Sequence, residues 1–341
     1  MNGKKVVSDA IRHRSTEPVP YYAEFTAGEK EKLIHYYGDD RFEERFTRFL
    51  QAGVYGWFEG VPGRPGFVRD EFGVIWNRSG ADKDIGVIEG AVIPDICDCR
   101  YRMPSPDEAR FREVLRGLEN QRDCFTVVDV GFMMFERAWT LLTMPEALMA
   151  MIAAPAELES LLDSICEFDL KVIDIALEYG IDCIHFGDDW GQQKGLIMGA
   201  PHWRRFIKPR LKRLYERVKS RGRFVSQHSC GDIHELFPDL IEIGLDVYQT
   251  FQPEIYDIER VKNEYGRDLT FWGGISTQRL LPCAPPDEVR RETARIMRIM
   301  SKGGGYIAAP THAVPADVPA ENIAAMLDVF ENQEKYLGGV G

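Results

Sequence analysis

Three features predict a (β/α)8 barrel of the TIM type for this 341-residue chain. From residue 125 onward, short β-branched or aromatic runs alternate with longer segments of helical period, the pattern of a parallel sheet with crossover helices. The intervening segments carry clear helix start and stop signals. The strand candidates also total eight, the number that closes this barrel, and folds of this kind commonly use about 250 residues or more as one domain. A single domain over 1–341 is therefore expected.

The first two strand candidates are VPYYAEFT (19–26) and GVYGWFEG (53–60). Residues 61–104 then break the rhythm, because FVRDEFGVIWNRSG reads as a β-hairpin and DIGVIEGAVIPDICD as a further extended piece. This stretch is expected to be an insertion at one mouth of the barrel. The remaining candidates are FTVVDVGF (125–132), DCIHFGD (182–188), RFVSQH (223–228), LDVYQTF (245–251), LTFWGG (269–274) and GYIAAP (305–310). Between them, AELESLLDSICEFDLKVIDIALEYG closes on Gly180, and PPDEVRRETARIMRIMSKGG opens on proline and acids and ends on Lys-Gly-Gly.

Composition narrows the function. Hydrophobic residues at 44% and charged residues at 28% suit a substantial core with a charged surface. A net charge of −12 argues against nucleic acid as partner. No apolar run approaches the roughly 20 residues that span a bilayer, and the amino terminus lacks a secretory signal, so no membrane association and a cytoplasmic location are expected. The seven scattered cysteines do not form a disulfide pattern. Cys97 and Cys99 would share a side if extended, but no second pair stands nearby to make a metal knuckle.

The strongest local motif is Gln227-His228-Ser229-Cys230-Gly231-Asp232, at the junction of an apolar strand and a helix. An imidazole and a thiolate one residue apart can converge on one ion, and both are good zinc ligands. Barrel closure would bring His312, just past the last strand, to the same face. Three protein ligands would leave an open position, as in catalytic sites. The mixed nitrogen and sulfur set favours Zn2+. The alternative is that His228 and Cys230 are ordinary buried residues at a tight turn.

A second cluster, Gly187-Asp188-Asp189-Trp190-Gly191-Gln192-Gln193, follows another strand. Asp188 is a candidate catalytic acid, and Asp189 and Gln192 candidate substrate contacts. A helix cap or Asx turn is the local alternative for Asp189. Glu136, among Phe, Met and Trp neighbours, could have a raised pKa suited to proton donation, or could pair with Arg137. Tyr22, Glu24 and Gln252 fall near strand ends, and Tyr21, Tyr22, Phe132, Trp139 and Trp190 could line a pocket or belong to the core. The segment HWRRFIKPRLKRLYERVKSRG (202–222) holds nine Lys or Arg residues and one Glu. It reads as a helix with a solvated basic face, or as a dock for an acidic protein partner.

The stretches ERAWTL (136–141), HFGDDWGQQKGLIM (185–198), HSCGDIHELFPDLIEIGLDVYQTFQPE, FWGGISTQRLLP and GGYIAAPTHAVPADVPAENI resemble the uroporphyrinogen decarboxylase superfamily, and more closely its cobamide-dependent methyltransferase branch. The resemblance covers most of the chain and implies a (β/α)8 barrel. It also implies zinc held by a His-x-Cys pair, matched by His228 and Cys230, and by a later Cys whose place His312 takes here. The decarboxylases hold their substrate with an arginine-rich amino-terminal loop, whereas PVPYYAEFTAGEK contains no arginine. What the resemblance implies is therefore a zinc-dependent methyltransferase. It would take a methyl group from a small-molecule O-methyl donor, such as a methoxylated aromatic, to the cobalt of a corrinoid (cobalamin) carried by a partner protein. Glu136 or Asp188 would supply a proton, and Tyr22, Trp139, Asp189, Gln192 and Gln252 would hold the donor. The alternatives are a methyl-corrinoid:thiol methyltransferase, a decarboxylase-like enzyme, and a non-catalytic barrel that binds a corrinoid or a partner. The oligomeric state is not set by the sequence.

Overall fold

The computed structural model of the chain describes residues 2–80, 86–97 and 100–338. It has a mixed α/β fold of the TIM-barrel type. Strands β1 (Leu50–Tyr55), β6 (Phe125–Val130), β7 (Cys183–Gly187), β8 (Phe224–His228), β9 (Val247–Thr250), β10 (Thr270–Ile275) and β11 (Tyr306–Pro310) form a seven-stranded sheet in the order β1-β6-β7-β8-β9-β10-β11. Nearly every residue of the last five of these strands is buried, as expected where helices cover a parallel sheet. Strands β2 (Phe58–Gly60), β3 (Phe67–Asp70), β4 (Ile75–Asn77) and β5 (Val87–Ile88) form a separate antiparallel sheet in that order.

The first third of the chain corrects the predicted strands. Residues 19–26 do not form a continuous strand. They make only isolated parallel bridges, Tyr21 with Ala308 and Phe25 with Val314. Pro18 and Pro20 lack amide hydrogens and cannot donate to a ladder. The segment 53–60 is not one strand either, because Gly56, at φ 123°, ends the first run, and Phe58 begins β2. The insertion contains the expected hairpin, β3 with β4 in antiparallel register, flanked by two further short strands. Cys99 lies outside the described residues, and Cys97 is exposed.

The chain divides into two compact units. One comprises Met1–Gln51, Gln121–Val127 and Asp246–Gly341, and the other Ala52–Asn120 and Val128–Leu245. In the first, the buried Tyr21 ring stacks on Phe330 with centroids 4.7 Å apart and meets the edge of Phe49 at 4.9 Å. Tyr21 is thus a core residue.

In the second unit, Asp70 organises the hairpin. Its Oδ1 accepts the Phe72 and Val74 N–H groups at 3.0 and 2.9 Å, and its Oδ2 accepts Trp76 Nε1 at 3.3 Å and Arg137 Nη1 at 2.7 Å. The Arg137 guanidinium also lies 3.8 Å from the Phe72 ring centroid. Glu71, beside this pair, accepts the Tyr55 hydroxyl at 2.8 Å, and burial pushes its carboxyl up to about 7. The folded state therefore holds that proton more tightly than the unfolded chain. Between pH 4.5 and about 7 the folded state binds more protons, and stability must fall as pH rises. Glu71→Gln is expected to flatten this slope in urea unfolding followed at several pH values. An identical slope in wild type and variant would contradict it.

The basic segment also differs from expectation. It forms two helices, Ala200–Phe206 and Lys208–Lys219, because Pro209 cannot continue the ladder of the first. Most of its cations are matched to acids. Arg205, Arg213 and Arg217 pair with Glu159, Glu167 and Asp174 of the helix Pro155–Leu177, and Arg204 and Lys208 with Asp239. Most of these pairs remain exposed, so the face is solvated, with its cations balanced by acids of the neighbouring helices. Among the described residues, no helix is long and apolar enough to cross a membrane.

Candidate metal centre

His228 ends β8, level in register with Gly187 at the end of β7. Each strand then turns into a loop, and the two loops meet backbone to backbone. A Cβ on Gly231 would stand 2.2 Å from the Gly191 carbonyl carbon, and one on Gly191 2.6 Å from the Cys230 oxygen. Neither position has room for a side chain. The Asp232 N–H donates to the Gln192 carbonyl at 2.8 Å, and the Trp190 N–H donates to Ser229 Oγ at 3.0 Å. The two sequence motifs are thus one structural unit.

This seam brings His228 and Cys230 together, with Cys230 Sγ 3.5 Å from His228 Nε2. Asp189 joins them. Its Oδ1 accepts the Cys230 N–H at 2.7 Å and lies 3.4 Å from the same His228 Nε2. Burial alone would lower the His228 pKa, but the neighbouring Cys230 and Asp189 outweigh it and hold the imidazole well above its usual range. Burial would raise Asp189, yet His228 and the Cys230 N–H bring its carboxyl down to about 2. Glu136 behaves oppositely. Burial and the adjacent Asp189 and Asp188 push it well up, although the Asp189 N–H donates to it. Arg137 is committed to Asp70, which leaves Glu136 outside the ion pair considered from sequence.

Asp188 is fully buried and fully used. It accepts N–H groups of Glu136 at 2.7 Å and Phe135 at 3.2 Å, at the start of the helix Met134–Leu142, and Trp190 Nε1 at 2.5 Å. Burial pushes its carboxyl up to about 8 against the pull of these donors. With three donors on its oxygens, the geometry makes it an anchor that sets Glu136 in place. Trp190 is correspondingly core, its ring 5.2 Å from that of Trp203. Trp139 and Phe132 are half-buried, and Gln192 is exposed and contributes only its backbone to the seam.

In the other unit, His312 is exposed in the loop after β11. The neighbouring Thr311 hydroxyl lies 2.9 Å from that of Thr277, and Val314 exchanges backbone hydrogen bonds with Glu24 and Thr26. Tyr22 is half-buried, edge-on to Trp272 at 5.5 Å, and Gln252 is buried with no partner for its Nε2. One residue escaped sequence reading. His185, inside β7, contacts Ser226 Oγ through Nδ1 at 2.8 Å, and its ring lies 6.2 Å from that of His228. Burial, then the His228 charge, pulls it down to about 3, so it stands neutral beneath the pair. A lone histidine in an apolar strand was its only signal.

The structure is similar to that of a methyltransferase from Methanosarcina mazei, with a TM-score of 0.70 and 16% identity, covering 98% of this chain and 99% of that one. A B12-independent methionine synthase from Shewanella sp. W3-18-1 is more distant, with a TM-score of 0.45 and 11% identity over 73% of this chain and 70% of that one. No curated protein matches at the sequence level. The family model of uroporphyrinogen decarboxylase (URO-D) matches residues 96–333, well over half of the sequence, and the chain belongs to that family.

Proposed function

We propose that this chain is a zinc-dependent methyltransferase that takes a methyl group from an O-methyl donor, of which a methoxylated aromatic is the favoured type, to a corrinoid carried by a partner protein. The observation that carries the reading is the side-by-side placement of His228 Nε2 and Cys230 Sγ at a strand end, with a nearby Glu136 whose pKa burial and Asp189 raise. An imidazole and a thiolate fit zinc. His312, two residues past β11, is proposed as the third ligand, so that two nitrogens and one sulfur would hold the ion. Its bound ion would supply Lewis acidity toward negative charge developing on the donor oxygen.

The chain's own groups complete the chemistry. In the reaction the C–O bond of the donor breaks, a bond to the corrinoid cobalt forms, and the departing oxygen needs a proton. Burial and the neighbouring Asp189 and Asp188 raise the Glu136 pKa, which favours its acid form as the source of that proton. Asp189 fixes the His228 ring and the Cys230 backbone. Tyr22, Trp139 and Gln252 are proposed to hold the donor. The similarity in fold to a methyltransferase supports the reaction class, and the absence of arginine from 18–30 supports a neutral donor over a polycarboxylate.

The test mixes zinc-loaded protein with cob(I)alamin and methoxyaromatics, and separately with methylcobalamin and thiols, and follows the corrin absorption. Methylation of the cobalt by a methoxyaromatic is expected. Transfer to thiols alone would establish the thiol methyltransferase instead, and no transfer in either direction would leave a binding protein. Glu136→Gln should retain metal and lose about 10²- to 10⁴-fold in rate, the usual contribution of a general acid. Since the acid form is required, the wild-type rate should fall as pH rises through the raised pKa, and the variant should lack that limb.

A further inference from the structure

A cavity of about 530 Å3 in the first unit includes none of these groups in its lining, which consists of His13, Glu259, Lys262, Asn263, Arg267 and Lys302, among others. It is built where Gly303–Gly305 leads into β11, at the end of that strand opposite His312. The cations here differ from those of the helix Lys208–Lys219. Among the described residues, no acid comes within ion-pair distance of Lys262, Arg267 or Lys302. Lys262 Nζ has only the Gly304 carbonyl, at 2.6 Å, and His13 Nδ1 is buried without a hydrogen-bond partner. Glu259 is the one acid among the lining residues.

Three unpaired cations in a chain of net charge −12 are an unusual concentration. Like charges gathered in a half-enclosed space repel one another, and burial pulls Lys262 down to about 8. An anion in the cavity reverses both costs. The glycine loop is fitted to this place: a Cβ on Gly305 would stand 2.7 Å from His13 Nδ1.

We propose that this cavity is a binding site for a phosphate-bearing small molecule, held by Lys262, Arg267 and Lys302. A guanidinium and two ammonium groups suit a tetrahedral dianion, whose oxygens point in different directions, better than a planar carboxylate that a single guanidinium can clamp. The site owes nothing to the metal ligands, so it stands or falls separately from the methyl-transfer reading.

Titration calorimetry of the full chain with inorganic phosphate and pyrophosphate, and with citrate as a carboxylate comparison, tests it. Saturable phosphate binding is expected, tighter for pyrophosphate. The double variant Arg267→Ala/Lys302→Ala, altered at two exposed positions, should bind at least about tenfold more weakly. Its unfolding midpoint without phosphate should match the wild type. No saturable binding up to roughly 10 mM phosphate, equal affinity in the double variant, or tighter binding of citrate would overturn the assignment.

Discussion

Cys230→Ser is expected to strip the metal while leaving the loop in place. A serine hydroxyl stays protonated at neutral pH and offers zinc a far weaker donor than thiolate. The backbone contact survives, because the Cys230 N–H that Asp189 accepts does not depend on the side chain. Affinity should therefore fall by more than the roughly 100-fold that losing a supporting group costs. Asp189→Asn is the internal comparison. It removes the charge 3.4 Å from His228 Nε2 but keeps both proposed ligands in that unit, and should cost about 10- to 100-fold. Competition against a chelator measures both. Full affinity in Cys230→Ser would remove the thiolate from the site, and an equal loss in both variants would make Asp189 a ligand.

Arg137→Met should be the most damaging single change to stability outside the site. The side chains of Arg137 and Asp70 are only 9% and 7% exposed, so removing the cation leaves a carboxylate buried beside Glu71 and Asp169. Burial already pushes Asp169 well up, and Arg137 is the group that offsets it. Breaking a buried pair on one side costs about 3–5 kcal/mol, and urea unfolding should show a loss of that size. Combining Arg137→Met with Asp70→Asn should recover part of it, because the uncompensated charge is then gone. A loss below about 1 kcal/mol, the size of an exposed pair, would contradict the burial argument.

The strands from β6 onward were legible in the sequence because each is an apolar run bounded by glycine, proline or a charged turn. The amino-terminal third was not, since Pro18, Pro20 and Gly56 interrupt runs whose composition is otherwise strand-like. The basic segment showed its charges but not their partners. Glu159, Glu167 and Asp174 sit on one face of a different helix, and no local spacing relates them to Arg205, Arg213 and Arg217. At the candidate site, the His-x-Cys spacing was readable because both donors come from one short stretch of chain at the end of β8. The roles of the two aspartates were not. Asp188 resembles any acid after a strand until the packing of the helix Met134–Leu142, which precedes β7 in the chain, shows its oxygens filled, and Asp189 gains its meaning only from the neighbouring strand end.

The glycine seam between Gly191 and Gly231 also governs how this protein can be altered. Two backbones in direct contact leave no slack for one to change length or direction without the other. A library that randomises residues 188–196 while holding 228–232 constant would mostly yield clashes, whatever side chains it sampled. To exchange this region between relatives, both loops would have to be transplanted together as one cassette, with their glycines kept.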